Sequence, residues 1–236
     1  MASRSDIGTS APTTDRPAFL RQGYTIIPGL MSDELLMQAR ESCEPWLMAF
    51  DARSIDGGTV RSRYRKGLLA VTRLFDDLYM HPLLLDLATR VFKQEGYILG
   101  GASIRNVAPR EAARAMHMDD VIFAEEQPRN NPCMINVLIA LDDFTAETGA
   151  THVVPRSHLW DREIDQRCAY MTADMRPGSA IVLHGRVWHR NGDNTSDQER
   201  KALSFTYRTR KLRKAGSSDV VEGLPEKLER IVQGVA

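Results

Sequence analysis

The 236-residue chain is long enough for one ordinary domain, and its apolar content of 42% suffices for a sizeable core. Its 31 basic and 31 acidic residues balance, which argues against nucleic acid or an anionic membrane surface as a partner. Three widely spaced cysteines without a CxxC pattern argue against a disulfide framework or a structural zinc site, and they fit a reducing, cytoplasmic location.

The chain is expected to form one folded unit after a short leader. Residues 1–17 are polar and lack the apolar segment of a signal peptide, so they are predicted to be a disordered leader. Residues 18–236 contain no internal repeat and no long linker, which predicts a single domain. No run approaches the roughly 18 consecutive apolar residues that a membrane helix requires.

The first elements are a short strand and two helices. Residues 23–28 form a β-like run, and Ser32 then provides an N-cap for a helix that ends at or just after Pro45. Residues 51–66 are rich in Gly, Ser and Arg and are predicted to form a loop. A second helix is predicted over 82–93, with its proline in the first turn.

After Gly96 the pattern changes to short β-like segments separated by turn residues. These segments are residues 97–107, 133–141, 151–155, 179–184 and 202–208. Helices followed by many short strands indicate an α+β protein, in which a helical layer packs on an all-β core. A double-sheet jelly roll is the natural candidate for that core, although periodicity alone does not distinguish it from another sandwich.

Two short stretches could provide a metal site. His117 and Asp119 form an HxD pair, and alternate residues of a strand point to the same face. His189, after a late strand, is available as a third ligand. Two imidazoles and one carboxylate on one side of an octahedral metal leave positions open, which is the pattern of non-haem Fe(II) oxygenases. Taken alone, an HxD pair fits a surface histidine beside an acid equally well.

Arg200 lies eleven residues after His189 (200 − 189 = 11) and opens a β-like segment. A guanidinium can hold a carboxylate through two parallel charge-assisted hydrogen bonds, as a dicarboxylic cosubstrate would require. The alternative is an ordinary arginine at the end of a strand.

Taken together, four stretches make the sequence similar to the phytanoyl-CoA dioxygenase family of Fe(II)- and 2-oxoglutarate-dependent oxygenases. In order, these are Gly23-Tyr-Thr-Ile-Ile-Pro-Gly-Leu30, His117-Met-Asp119, Gly149-Ala-Thr-His-Val-Val-Pro-Arg-Ser-His158 and His189-Arg-Asn-Gly-Asp-Asn-Thr-Ser196 with Arg200. The resemblance implies a double-stranded β-helix, or jelly-roll, core with a flanking layer of N-terminal helices.

The same resemblance implies a set of site residues. The expected iron ligands are His117, Asp119 and His189, which are also the catalytic residues. The expected 2-oxoglutarate contacts are Arg200, Thr151, Asn191 and Asn106. Fe(II), 2-oxoglutarate as cosubstrate and O2 are the implied cofactors.

The sequence departs from the family pattern near the cosubstrate. Many relatives have glutamine between the two HxD ligands, whereas Met118 cannot donate a hydrogen bond. Glu147 and Thr148 stand where relatives often have Gln and Asn. The resemblance therefore predicts the Arg200 contact more firmly than the remaining cosubstrate contacts.

The expected reaction is hydroxylation of an unactivated C–H bond in a small molecule, with release of succinate and CO2. A natural-product or amino-acid-like substrate is preferred to a CoA thioester because the chain has no large basic patch. Residues 124–132 are a candidate lid, and a monomer or homodimer is expected. The alternatives are a jelly-roll protein that binds a metal or small molecule without turnover, and a zinc or manganese hydrolase or isomerase.

Overall fold

Antiparallel β-strands form the centre of the protein in a computed structural model, which describes residues 16–47, 62–123, 133–212 and 223–234. In chain order the strands are β1 (Tyr24–Ile27), β2 (Tyr64–Lys66), β3 (Tyr97–Val107), β4 (Met134–Ala140), β5 (Thr151–Val153), β6 (Met171–Thr172), β7 (Ala180–His184), β8 (His189–Asn191) and β9 (Arg200–Thr209). One sheet has the order β1-β7-β4-β9-β3-β2, and the other has the order β6-β5-β8.

The larger sheet has two different faces because successive side chains of a strand point to opposite sides. Its inner face shares a core with the smaller sheet, made of Leu138, Ala140, Ile181, Leu183 and Ala202 with Val153 of β5. Two sheets packed around a common core are the architecture of a jelly roll, and the predicted α+β fold is confirmed.

Helices cover the outer face of the larger sheet. The described ranges contain α1 (Arg16–Gln22), α2 (Asp33–Trp46), α3 (Asp76–Tyr79), α4 (Pro82–Phe92) and α5 (Glu226–Gln233). Their buried side chains join those of the sheet in one apolar cluster, which includes Phe19, Leu36, Leu84, Ile231, Val137, Leu203 and Phe205. The helical layer therefore fixes the sheet from outside and leaves the inner face free to carry a site.

The two predicted helices are confirmed almost to the residue. α2 begins after Ser32, whose Oγ accepts a hydrogen bond from the backbone N–H of Leu35 at 3.2 Å. α4 begins at Pro82 and ends one residue before the predicted boundary.

Three parts of the chain differ from the sequence prediction or lie outside the described residues. The predicted loop 51–66 contains β2, which pairs with β3 at the edge of the sheet; three residues are too few to show alternation. Its residues 51–61 lie outside the described ranges, as do residues 1–15 of the predicted leader, whose last two residues belong to α1. No helix among the described residues is both long and apolar enough to span a membrane.

Candidate metal centre

The HxD pair and the distal histidine meet between the two sheets. One ligand atom from each of His117, Asp119 and His189 lies within 4.8 Å of the other two. His117 pairs with His189 through reciprocal backbone hydrogen bonds, N–H to carbonyl, of 3.0 Å each. Asp119 opens a short 3-10 turn over Asp119–Phe123. The convergence therefore comes from a single bridge followed by a turn, instead of the strand alternation that was predicted.

Backbone carbonyls orient both imidazole rings. Nδ1 of His117 lies 3.2 Å from the carbonyl oxygen of Ala115, and Nδ1 of His189 lies 3.0 Å from that of Val187. Because a carbonyl oxygen can only accept, each Nδ1 carries the proton and each Nε2 keeps its lone pair. The Nε2 atoms lie 3.8 Å and 3.6 Å from the two oxygens of Asp119. Both histidines thus have the tautomer that a metal ligand requires.

Asp119 is held in its charged form by its neighbours. Burial alone would raise the pKa of this carboxyl, but the charge of His189, a hydrogen bond from Asn136 and the charge of His117 lower it below its ordinary value. Burial also lowers the pKa of His117, which favours the neutral imidazole. One carboxylate and two imidazoles that present Nε2 toward it are donors that fit a divalent transition metal such as Fe(II).

Asn136 and Ser204 form a second layer behind Asp119 that the sequence analysis missed. Asn136 Nδ2 donates to Asp119 Oδ2 at 2.8 Å, and Ser204 Oγ donates to Asn136 Oδ1 at 3.0 Å. Both residues are more than nine-tenths buried. The available signal was a polar residue within the apolar strand Met134–Ala140, since a buried amide must find partners.

Arg200 is a buried cation with little compensation. Its side chain is among the largest that are fully buried, and its Cζ lies 3.9 Å from the centre of the Phe144 ring. Nη2 donates to Asn191 Oδ1 at 3.2 Å, whereas Nε and Nη1 have no partner within the described residues. Burial, reinforced by the charge of Arg105, lowers the pKa of Arg200 to about 9, which leaves it protonated at neutral pH.

Thr151 adds a third unpartnered donor beside this guanidinium. It stands opposite Asn191 in the pairing of β5 with β8, and its Oγ1 is buried without a hydrogen bond to any described residue. Buried donors of this kind cost free energy unless a ligand satisfies them. A carboxylate accepts several hydrogen bonds at once and fits all three donors.

Comparison with known proteins places this site in a family. Residues 19–202, more than half of the chain, match the profile of the phytanoyl-CoA dioxygenase (PhyH) family. The chain belongs to the phytanoyl-CoA dioxygenase family. This membership confirms the resemblance that the four sequence stretches indicated.

Three dioxygenases are among the relatives found by sequence comparison. Dioxygenase cdmA of Talaromyces verruculosus is 28% identical over 201 residues, which cover 78% of this chain and 68% of cdmA. Dioxygenase trt7 of Aspergillus terreus is 29% identical over 154 residues, covering 62% of this chain and 54% of trt7. Dioxygenase hkm4 of Aspergillus hancockii is 30% identical over 218 residues, covering 84% of this chain and 71% of hkm4. The chain thus spans between 54% and 71% of the length of these three relatives.

Solved structures share the fold at lower identity. The non-haem α-ketoglutarate-dependent carbocyclase SnoK from nogalamycin biosynthesis aligns with a TM-score of 0.68 and 23% identity, covering 85% of this chain and 87% of SnoK. The epimerase SnoN, solved with Fe3+, α-ketoglutarate and nogalamycin RO, aligns with a TM-score of 0.66 and 20% identity, covering 82% of each chain. These likenesses establish a common fold.

Asn106, which was predicted to contact 2-oxoglutarate, lies on the other side of the sheet from the site. Asn106 lies on the helix-covered side of β3, where its side-chain oxygen accepts from the backbone N–H of Arg63 and its Nδ2 donates to Glu199. Arg105, the preceding residue, points to the inner face instead, and its charge acts on Asp119 and Arg200. Alternation along β3 could not be resolved from sequence because both residues are polar.

The other four histidines have local partners. His81 caps α4, where its Nδ1 accepts from the backbone N–H of Leu83 at 3.3 Å. His152 stacks on Tyr170 with ring centres 3.9 Å apart. Nε2 of His158 lies 3.2 Å from the carbonyl oxygen of Leu20, and Nδ1 of His184 accepts from the backbone N–H of Arg186 at 3.1 Å. The candidate lid, residues 124–132, lies outside the described residues.

Proposed function

We propose that this protein is an Fe(II)- and 2-oxoglutarate-dependent dioxygenase that hydroxylates an unactivated C–H bond of a small molecule, of the natural-product or amino-acid-like class. The proposal rests on one observation above all. Three metal-ligating groups converge in the same site as a buried arginine, two of whose donor atoms have no partner among the described residues.

The residues divide the work between metal and cosubstrate. His117, Asp119 and His189 would hold Fe(II). The hydrogen bond from Asn136 to Oδ2 of Asp119 would keep that carboxylate from rotating. Arg200 and Thr151 would hold the distal carboxylate of 2-oxoglutarate, while Asn191 orients the guanidinium. When bound, the iron and cosubstrate supply the activation of dioxygen, with release of succinate and CO2. Arg200 and Thr151 are buried, which limits the access of water to the cosubstrate end of the site.

Asp119 favours oxygenation over halogenation. A Gly or Ala at this position, as in related halogenases, would leave a coordination position open to halide. The carboxylate of Asp119 is present and lies within 4 Å of both imidazoles. Because the structural neighbours include an epimerase and a carbocyclase, hydroxylation is the part of the proposal that needs a direct test.

A jelly-roll protein that binds a metal without turnover is the second candidate. The buried guanidinium of Arg200 argues against this candidate, because two of its donor atoms have no partner among the described residues. Such a group lowers stability unless an anion binds it, and binding of a metal alone does not require an anion there. Consumption of dioxygen that depends on 2-oxoglutarate separates the two candidates.

The first experiment is an anaerobic titration of the metal-free protein with Fe(II) and 2-oxoglutarate, monitored by visible absorption. We expect a weak charge-transfer band that requires both components. His189→Ala should abolish this band, and His117→Ala or Asp119→Ala should abolish succinate formation, because each removes a metal donor. His81→Asn, which retains the cap of α4 far from the centre, is the matched control and should behave as wild type.

A metal-loaded protein that shows no band and consumes no dioxygen would overturn the proposal in favour of a non-oxidative metal protein. Where turnover is found, labelled dioxygen distinguishes the outcomes. A hydroxylase transfers one labelled oxygen atom to its product and one to succinate, whereas a product without the label would exclude hydroxylation.

A further inference from the structure

Two arginines occupy neighbouring positions on the inner face of the larger sheet. Arg105 of β3 stands opposite Ala202 of β9, and Arg200 lies two residues before Ala202 on the same strand. Residues two apart share a face, so the two guanidinium groups project diagonally from adjacent strands into the space between the sheets. The positive charge of Arg105 repels that of Arg200 and adds to the effect of burial in lowering the pKa of Arg200.

Arg105 has no hydrogen bond or ion pair to any residue in the described ranges. Among the described residues, the carboxylate whose charge acts on Arg105 is that of Asp119, the proposed iron ligand. Arg114, the next cation nearby, has Glu111 at 3.8 Å as its own partner. Arg105 therefore lacks a counter-ion that is not already engaged.

A count of formal charges shows the consequence. On the proposed function, on which this inference rests, Fe(II) carries two positive charges and 2-oxoglutarate carries two negative charges, so they cancel. The charge of Arg200 is met in part by Asp142 and Glu111, which act on it electrostatically. The carboxylate that acts on Arg105 is Asp119, which the iron would engage, so the guanidinium of Arg105 is available to one further anion.

The position of Arg105 separates it from the cosubstrate end of the site. Its other cross-strand partner is Tyr64 of β2, the edge strand of the sheet, and both residues are half-buried. Arg200 is only 2% exposed. Arg105 thus lies next to the edge strand β2 and is more exposed than Arg200.

We propose that Arg105 is a specificity-determining residue that binds a carboxylate of the substrate, so that the substrate is an organic acid. A planar guanidinium on a strand can hold a carboxylate through two parallel hydrogen bonds while the C–H bond to be oxidised faces the metal. The aromatic ring of Tyr64 lies on the same face of the sheet and provides an apolar wall beside the acid group.

The first arm of the test asks whether Arg105 serves the cosubstrate. Binding of 2-oxoglutarate to the anaerobic Fe(II) protein is measured by calorimetry for wild type, Arg105→Gln and Arg200→Gln. We expect Arg200→Gln to weaken binding about tenfold or more, because it removes a charge-assisted pair, and Arg105→Gln to change it less than about threefold. Equal losses in both variants would assign Arg105 to the cosubstrate and overturn the proposal.

The second arm measures the preference for acids. Matched acids and amides, from acetate and acetamide to phenylacetate and phenylacetamide, are titrated into wild type loaded with Fe(II) and 2-oxoglutarate under argon. We expect the acids to bind about tenfold more tightly than their amides, a preference that Arg105→Lys retains in part and Arg105→Gln loses. The absence of any acid preference in wild type would overturn the proposal. Failure of wild type to bind 2-oxoglutarate in the first arm would instead contradict the proposed function.

Discussion

The two faces of the six-stranded sheet differ in what they leave unsatisfied. The outer face meets the helices through apolar side chains such as Val137 and Phe205, and a polar group there, the hydroxyl of Tyr207, donates to the carbonyl oxygen of Tyr79 at 2.7 Å. The inner face carries Arg200, which has two donors without partners in the described structure. Both faces bury apolar side chains, but the inner face also holds a buried guanidinium whose free donors a ligand could satisfy.

Truncating an outer-face side chain should affect stability and leave the site intact. Phe205 is almost completely buried and makes an edge-to-face contact with Tyr79 at 5.1 Å. We expect Phe205→Ala to lower the free energy of unfolding by about 3–5 kcal/mol, measured by urea denaturation, because it leaves a cavity. The Fe(II) affinity of the folded fraction should stay at the wild-type value. A loss of affinity in that fraction would mean that the two faces are not independent.

Removing an inner-face amide should have the reverse effect. Asn136→Ala deletes the donor to Asp119, so we expect Fe(II) affinity to fall about 10–100-fold in an anaerobic competition titration. Ser204→Ala is the matched control, since it removes only the hydrogen bond that orients the amide, and it should cause a smaller loss. If Asn136→Ala binds Fe(II) as wild type does, the position of Asp119 is set by the backbone turn alone.

The pH dependence of stability tests the outer face separately, through the side chain of His184. Burial, with the charges of His158 and Arg186, lowers the pKa of His184 to about 3. The unfolded chain takes up this proton near the ordinary value of 6.5, so the stability present above pH 6.5 is lost as the pH falls toward 3. Between pH 7 and pH 5 we expect a loss of about 2 kcal/mol from this group.

The measurement is urea denaturation of wild type and His184→Phe at both pH values. The variant should be less stable at pH 7, because the acceptor for the N–H of Arg186 is gone, yet its loss on acidification should be smaller by about 2 kcal/mol. Identical losses in both proteins would show that His184 does not titrate differently on folding.

Sequence patterns predicted what depends on composition and local order. The helix over 82–93 followed from its proline and its apolar spacing, and the jelly-roll strands followed from β-branched runs between turns. They did not predict β2, β6 or β8, because strands of two or three residues show no period, and they did not predict the short helices α1 and α3. They also left out α5, although the helical spacing of Leu228 and Ile231 was an available signal.

The residues of the candidate site could be predicted from sequence where they belong to a recognisable motif. The structure brings His117, Asp119 and His189 together and places Asn191 against Arg200, while their roles as ligands and cosubstrate contacts remain predictions. The choice between Arg105 and Asn106 was not predictable, because it depends on the phase of a strand whose two sides are both covered. Asn136 was missed since its partner, Asp119, is distant in sequence.

The reciprocal backbone bonds between His117 and His189 have a consequence for how the site takes up metal. Two donors 72 positions apart in sequence (189 − 117 = 72) are aligned by main-chain groups before any ion arrives. The conformational entropy of ordering them is lost when the chain folds and is not subtracted from the affinity for the ion.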